Sequence, residues 1–598
     1  MNELTQPRVL REYALIADGE RGAMIGPDGT IDWLCVPRWD SPAAFAQLLG
    51  GPGHYTVTPA DRWYVWGGYY ENGSLIWHSR WTGGGVTECR EALAMPADPG
   101  RCVIMRRIEA VEGPAKVRVE LDIAAGFGRD EMRDLKRSGG VWSGRSGRIR
   151  FRWTGAAKAS QSDDGALSLV ISLPEGGHHD LVLELADQVL DDEPPDPEGL
   201  WQATRDAWSR VVPDCAGLIA VRDARHAYAV LRGLTSSTGA MVAAATTSLP
   251  ERMEGGRNYD YRFAWIRDQC YSGMAIAAHG EHPLLDGTVR FLTERVLEDG
   301  SDLEPAYTIT GQKIPGERTL PLRGYPGGIA VAGNRVRSQF QLDCLGEVLN
   351  VLAAAARLDR LTGENWRAVE TVVAAIGQRW EKADAGLWEI DDERWAHSRL
   401  TCVAGLRSIA AVASGSPGGY GYRQAARWSA LADEILASLP DCVHEEGRWQ
   451  RSPGDERTDA SLLLPMIRGA VPVDDPRSLA TLRAVREQLA DDGYLYRFRH
   501  DSRPLHKSEG AFLLCGFWMA QALAMRGESA EAARWFERNR AACGPAGLYT
   551  EEYDVGQRQL RGNLPQAFVH AAMLECAAWL SAEASATDFA FEAPANPV

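Results

Sequence analysis

The chain has no C-x-x-C pair, no G-x-G-x-x-G or G-x-x-x-x-G-K-[ST], and no G-x-S-x-G. Each absence removes a class of function. The 11 cysteines are scattered singly from Cys35 to Cys576. That argues against a thiolate metal site or a disulfide framework and reads as small buried apolar residues in a reducing compartment. Nucleotide binding has no support, and Gly415-Ser416-Pro417-Gly418 is a turn rather than a nucleophile elbow. There is no run of about 18 apolar residues to span a membrane. The start, Met1 to Pro7, is polar and lacks an apolar h-region, so a cytoplasmic enzyme is expected. Positive charge is scarce: the formal net charge is -17, which argues against nucleic acid or an anionic membrane as partner and favours a neutral ligand. His178-His179-Asp180 is no metal cluster, because neighbours on a strand point to opposite faces. Asp391-Asp392-Glu393 lacks calcium-loop spacing. No metal and no cofactor are expected.

What is present begins with length. At 598 residues the chain is too long for one core, so two domains are expected. The first third alternates apolar and polar residues over Arg101 to Ile108, Lys116 to Ile123, Arg148 to Trp153, Leu167 to Leu173 and Asp180 to Leu185. Gly, Pro and Asp clusters separate these runs, and Pro27-Asp28-Gly29 carries hairpin turn chemistry. The pattern predicts an antiparallel β-sandwich over residues 1–195. The acidic, proline-rich stretch Asp191 to Gly199 reads as a solvated linker leading into a linker helix within 196–222.

From about Asp223 the period becomes 3.6. About twelve helical segments start near Ala224, Ile266, Leu284, Arg337, Glu364, His397, Tyr422, Thr458, Arg477, Lys507, Ser529 and Leu564. Gaps alternate, with long ones after the odd-numbered helices and short ones after the even-numbered. Long connections in compact domains tend to be functional. Six helical hairpins in a ring place all long loops at one end, so residues 223–585 are expected to form an (α/α)6 barrel with its site there. A tail of 586–598 follows. No repeat signature supports an α-solenoid instead.

Two long loops each present a carboxylate beside aromatics: Gly386-Leu387-Trp388-Glu389-Ile390 and Gly547-Leu548-Tyr549-Thr550-Glu551-Glu552-Tyr553-Asp554. Glycoside hydrolysis uses two carboxylates flanking the scissile bond. Leu387, Trp388 and Ile390 would desolvate Glu389 and suit it to general acid; the more polar surroundings of Glu551 would keep a general base ionised. A third long loop ends in Arg257-Asn258-Tyr259-Asp260-Tyr261-Arg262-Phe263-Ala264-Trp265-Ile266-Arg267-Asp268. There aromatics could form a platform for a sugar, and an Arg/Asp pair could bind vicinal hydroxyls.

At these residues the chain resembles glycoside hydrolase family 15, the glucoamylase and trehalase family, in its bacterial form. The resemblance rests also on Tyr13 to Gly19, Asp28 to Cys35, Arg38 to Pro42, Gly333-Asn334 with Gln339 to Asp343, His397-Ser398-Arg399 and Gly562-Asn563-Leu564-Pro565-Gln566-Ala567. It implies a catalytic (α/α)6 barrel that removes glucose from a non-reducing end with inversion. Glu389 then matches the general acid, and Glu551 the base that activates water. Arg267 and Asp268 match residues gripping distal hydroxyls. Tyr261 and Trp265 match the aromatic wall, and Leu387 and Trp388 match sugar-contacting positions. Arg399 stands where bacterial members often have Lys, and Asp391-Asp392-Glu393 replaces bulkier flanks; both departures are expected near the leaving group. The expected partner is a small α-glucoside: trehalose, isomaltose or a short malto-oligosaccharide. Two other readings share parts of this pattern. An inverting α-glucoside phosphorylase would need a phosphate pocket in place of the base. A carbohydrate-binding protein would keep the pocket without turnover.

Overall fold

A computed structural model describes residues 7–190, 193–252, 256–280, 283–414 and 420–591. Met1 to Gln6, Asp191-Asp192, the turn at 415–418 and the tail from Glu592 lie outside the described residues. The N-terminal part is two eight-stranded antiparallel sheets. Ala115–Asp122 shows why they form: buried and less buried residues alternate along it, as a strand with one face on a core requires. The sheets meet over Tyr55 and Trp153, whose rings are 5.9 Å apart and nearly perpendicular, and the Trp153 indole N–H donates to Tyr55 Oη at 3.1 Å.

The C-terminal part is helical. Six inner helices or helical turns, namely Ile266–His279, Leu342–Arg357, Ala396–Ser414, Leu464–Ile467, Leu513–Met525 and Ala567–Phe591, each pack on the next, and the last packs on the first. This closed ring is the (α/α)6 architecture. Burial separates inner from outer helices. Leu513 to Ala524 is buried without interruption, as expected of a helix apolar all round. Its outer partner Ser529–Arg540 buries only Ala532, Trp535, Phe536 and Asn539, one stripe at helical spacing. Close crossing of inner helices needs glycine: a Cβ on Gly346 would lie 2.5 Å from the Thr401 carbonyl. No helix among the described residues is long and apolar enough to cross a membrane.

One difference from the sequence reading bears on the site. The barrel loops contain short strand pairs, Ala264–Trp265 with Ala306–Tyr307, and a three-stranded unit of Ala511–Phe512, Glu552–Asp554 and Gln559–Arg561. Strands of two or three residues carry no readable period.

The sandwich buttresses one of these loops. Trp33 donates its indole N–H to the Ala245 carbonyl at 2.9 Å. Arg262 is buried between the domains, paired with Asp260 at 2.6 Å and donating to the Ser41 carbonyl at 2.7 Å. It lies next to Tyr261 in sequence, so the pair fixes the loop that carries that ring. Removing one partner of a buried ion pair strands the other charge, at about 3–5 kcal/mol. Arg262→Ala is therefore expected to lower stability by that order, read as a lower urea midpoint; an unshifted midpoint would show that the pair contributes nothing to the fold.

Candidate active site

At the long-loop end of the ring lies a cavity of about 490 Å3 lined by Glu251, Tyr261, Trp265, Arg267, Asp268, Leu387, Trp388, Glu389, Arg497 and Glu551, among others. That is within the roughly 300–1,000 Å3 typical of small-molecule sites. Every residue singled out from the sequence as catalytic or sugar-binding is in this wall.

Glu389 sits in the turn that begins at Gly386. Its own φ is +53°, a left-handed conformation that non-glycine residues adopt at a cost and that clusters at functional sites. The turn is held at both ends. The Glu389 N–H donates to the Gly386 carbonyl at 3.3 Å, and Gln339 Nε2 donates to the Glu389 carbonyl at 3.4 Å. Gly386 is itself left-handed, and a Cβ there would meet Trp395 at 2.6 Å. The Glu389 carboxylate accepts from Trp265 Nε1 at 2.8 Å and lies 3.5 Å from Arg267 Nη1. This corrects the sequence reading of an apolar cage. The side chain is 28% exposed, and Ile390 is 39% exposed. The Trp388 indole N–H turns away to Asp459 at 2.9 Å, and Asp459 is also bound by Arg451 at 2.9 Å.

Glu551 precedes the strand Glu552–Asp554. Its carbonyl accepts from Leu513 N–H at 3.1 Å, satisfying one of the free donors at the start of an inner helix. Side chains alternate along a strand, which separates the two adjacent glutamates. Glu551 faces the cavity, whereas Glu552 accepts from Gly510 N–H at 2.8 Å and lies 3.8 Å from Arg257. The Glu551 setting also differs from expectation. Burial, and next the nearby Glu251 carboxylate, push its carboxyl well above the usual range, against the pull of Arg497 and the Tyr261 hydroxyl.

The two glutamates are linked through one aromatic pair. Tyr261 Oη lies 3.1 Å from Glu551 Oε2, Trp265 Nε1 binds Glu389, and the two rings meet edge to face at 5.4 Å. Tyr259 stacks on Tyr261 at 6.0 Å. Asp268, in the first turn of the Ile266 helix, is buried, and burial followed by the Glu389 charge lifts it to about 7 against Arg267. Arg267 is already engaged: it donates to Asp343 at 3.0 Å and to Gln341 at 2.7 Å.

Several residues of the site escaped the sequence reading. Glu251 lies 3.2 Å from Tyr261 Oη and is pushed up to about 8 by burial and then by Glu552. Glu509 binds Arg497 at 2.8 Å, Arg257 at 3.0 Å and His500 at 2.7 Å. Burial opposes its ionisation, but these cations hold it down to about 2. The one available signal was position, since these residues too lie in long loops. Conversely, Arg399 does not line the cavity. It is buried and donates to the Trp395 and Lys382 carbonyls at 3.0 and 3.2 Å, so it supports the Glu389 loop rather than a leaving group. Of Asp391-Asp392-Glu393, Asp391 lines the cavity, while Glu393 pairs through its backbone with Asp384. Among the described residues no group of three or more His, Cys, Asp or Glu side chains could hold a metal ion.

The sequence profile of Glycosyl hydrolases family 15 matches residues 225–578. The chain belongs to glycosyl hydrolase family 15. A second profile, Trehalase-like, N-terminal, matches residues 5–185. Among its relatives, a trehalase of Mycobacterium tuberculosis is 30% identical over 98% of this chain and 92% of its own. A trehalase of Thermoplasma volcanium is 25% identical over 95% and 93%. An isomaltose glucohydrolase of Kribbella flavida is 27% identical over 52% of this chain and 77% of its own. In fold, a bacterial glucoamylase solved with acarbose superposes with a TM-score of 0.67 at 14% identity, covering 97% of this chain and 94% of that one. The protein is thus a glycoside hydrolase of the trehalase and glucoamylase family.

Proposed function

We propose that the enzyme hydrolyses α,α-trehalose with inversion, Glu389 acting as general acid and Glu551 as general base. The observation that carries this reading is the shared cavity: two carboxylates from separate loops line it, and each is hydrogen-bonded to one member of the Tyr261–Trp265 pair. Inverting chemistry needs the two carboxyl groups roughly 6.5–9.5 Å apart, so that a water fits between base and sugar. Water attacks the anomeric carbon while its proton passes to Glu551; the glycosidic bond breaks as Glu389 protonates the departing oxygen. In the sugar pocket Asp268 accepts hydroxyl protons, Arg267 donates, and Tyr261, Trp265, Leu387 and Trp388 supply apolar and aromatic surface. No cofactor is required, because positioned carboxylates supply both proton transfers.

Trehalose is favoured over isomaltose and maltose because the trehalases match this chain over both domains, whereas the isomaltose glucohydrolase matches about half of it. The test is glucose release from trehalose, maltose, isomaltose and soluble starch, with the first-formed anomers read by NMR. Inversion of trehalose releases one β-glucose and one α-glucose; retention releases α-glucose alone. Equal early signals with preferential trehalose turnover are expected. Only α-glucose, or no turnover of trehalose, would overturn the reading. Turnover dependent on phosphate would point to a phosphorylase.

A further inference from the structure

Tyr261 Oη stands between two carboxyl groups, 3.2 Å from Glu251 Oε1 and 3.1 Å from Glu551 Oε2. A phenol carries one hydroxyl proton and cannot donate to two carboxylates at once. If both glutamates were ionised, one would face an oxygen lone pair and the other's charge without compensation. One of the two therefore holds a proton.

The surroundings decide which. Both carboxyl groups line the cavity, but Glu251 is only 5% exposed whereas Glu551 is part-buried, so water solvates an anion better at Glu551. The cations facing this cluster are Arg252, Arg257 and Arg497, and Glu509 already binds the last two, together with His500. Burial lifts Glu251 and Glu552 each to about 8, with Glu552 next as cause for Glu251 and Glu509 next for Glu552, and it raises Glu551 as well; Glu552 has Arg257 at 3.8 Å as a partner. Tyr259 also faces Glu251, and burial, then Glu251, raises its hydroxyl. The Glu251 segment is pinned rather than loose. Gly562 N–H donates to the Pro250 carbonyl at 3.0 Å, and Gly562, at φ +87°, leaves just 3.4 Å between its missing Cβ and Glu251 Cγ.

We propose that Glu251 is a positioning residue that stays protonated at neutral pH and, by donating to Tyr261 Oη, turns the tyrosine proton toward Glu551 and keeps Glu551 the anion. The chain of donors runs Glu251 O–H to Tyr261 O–H to the Glu551 carboxylate, with no net proton transfer. This rests on the reading of Glu551 as base. It goes further in naming a residue that acts through Tyr261 rather than on the reacting atoms.

The experiment compares kcat/KM against pH for the wild type, Glu251→Gln and Glu251→Ala, on trehalose and on α-glucosyl fluoride. The fluoride needs little protonation to leave, so its alkaline profile is free of the general acid. Glutamine is neutral and still donates, so it mimics protonated Glu251. It is expected to retain most of the rate that alanine loses, the alanine loss being about 3- to 10-fold, as for a hydrogen bond between neutral groups. Because Glu251 is neutral while Glu551 titrates, the acid limb of Glu251→Gln stays within about half a pH unit of wild type. On the fluoride, the wild type falls above about pH 8 as Glu251 ionises and competes for the tyrosine proton; Glu251→Gln lacks that fall. An acid limb displaced downward by a full unit in Glu251→Gln would put the proton on Glu551 and overturn the proposal. So would an alkaline fall that persists in Glu251→Gln. Should the glutamine variant not fold, Tyr261→Phe cuts the same link and must also lose the alkaline fall; its persistence refutes the inference. Glu551→Gln, assayed alongside, separates the two levels. If it is inactive while the Glu251 profiles disagree, the relay alone fails. If it is active, the base assignment fails and takes the relay with it.

Discussion

Glu551→Gln is expected to lose turnover by roughly 10²- to 10⁴-fold, the usual contribution of a positioned general base. The loss should be as large on α-glucosyl fluoride as on trehalose, because water must give up a proton whichever group departs. Glutamine is nearly isosteric and can still accept from Tyr261 Oη, so binding should change little and the effect should fall on kcat. Folding should not suffer, and the sign follows from the acid's environment. Burial raises the folded carboxyl above its unfolded value. A group raised in this way adds stability at low pH and loses it as pH rises through its folded value. At pH 7 the ionised or repelled carboxyl is a liability that a neutral amide removes. The variant should unfold at or above the wild-type temperature at pH 7–8, with the gap closing near pH 4. A variant that is both inactive and clearly less stable would mean that Glu551 supports the structure and that the rate loss says nothing of chemistry. Near-normal turnover would remove Glu551 from the mechanism.

The physics of legibility differs between the ring and its site. Helices could be read because a buried stripe imposes a 3.6 period over ten or more residues. The expected start near Ser529 coincides with the observed one, and the start near Ile266 does too. Where the period was short or interrupted, the reading drifted: Lys507 was expected to open a helix that begins at Leu513, because a 3₁₀ turn and a two-residue strand come between. The alternation of loop lengths was enough to collect Glu389, Glu551, Tyr261 and Trp265 at one end of the ring. It could not say what faces what. Whether Glu551 or Glu552 turns to the cavity depends on a strand register with Phe512, about 40 residues away along the chain. Apolar neighbours in sequence were poor guides to surroundings in space. The groups nearest the Glu389 carboxylate come from Trp265 and Arg267, and the carboxyl group that most influences Glu551 is that of Glu251. A carboxyl's environment is set by through-space neighbours, and those follow from the closed ring rather than from adjacent residues.

Glu389→Gln should behave differently from Glu551→Gln, and the difference assigns the roles. A sugar hydroxyl leaves poorly as an alkoxide, so cleavage of trehalose requires a proton on the departing oxygen. Without Glu389 to supply it, kcat/KM on trehalose should fall roughly 10²- to 10⁴-fold. Fluoride departs without that help, so hydrolysis of α-glucosyl fluoride should fall by less than about ten-fold. The substitution is conservative in the ways that matter to the fold. Glutamine retains an oxygen to accept from Trp265 Nε1, which lies 2.8 Å from the present carboxylate. It also has no β-branch to aggravate the left-handed backbone at φ +53°. Arg267 loses a charge partner at 3.5 Å but keeps Asp343 and Gln341, so the pocket wall should hold. A loss of equal size on both substrates would show that position 389 shapes the sugar pocket instead of delivering a proton. In that case the acid would have to be sought among the other carboxyl groups of the same wall, of which Asp268 and Asp391 are candidates by location. Leaving-group dependence at Glu389, together with its absence at Glu551, is the result that two carboxylates serving opposite ends of one displacement must produce.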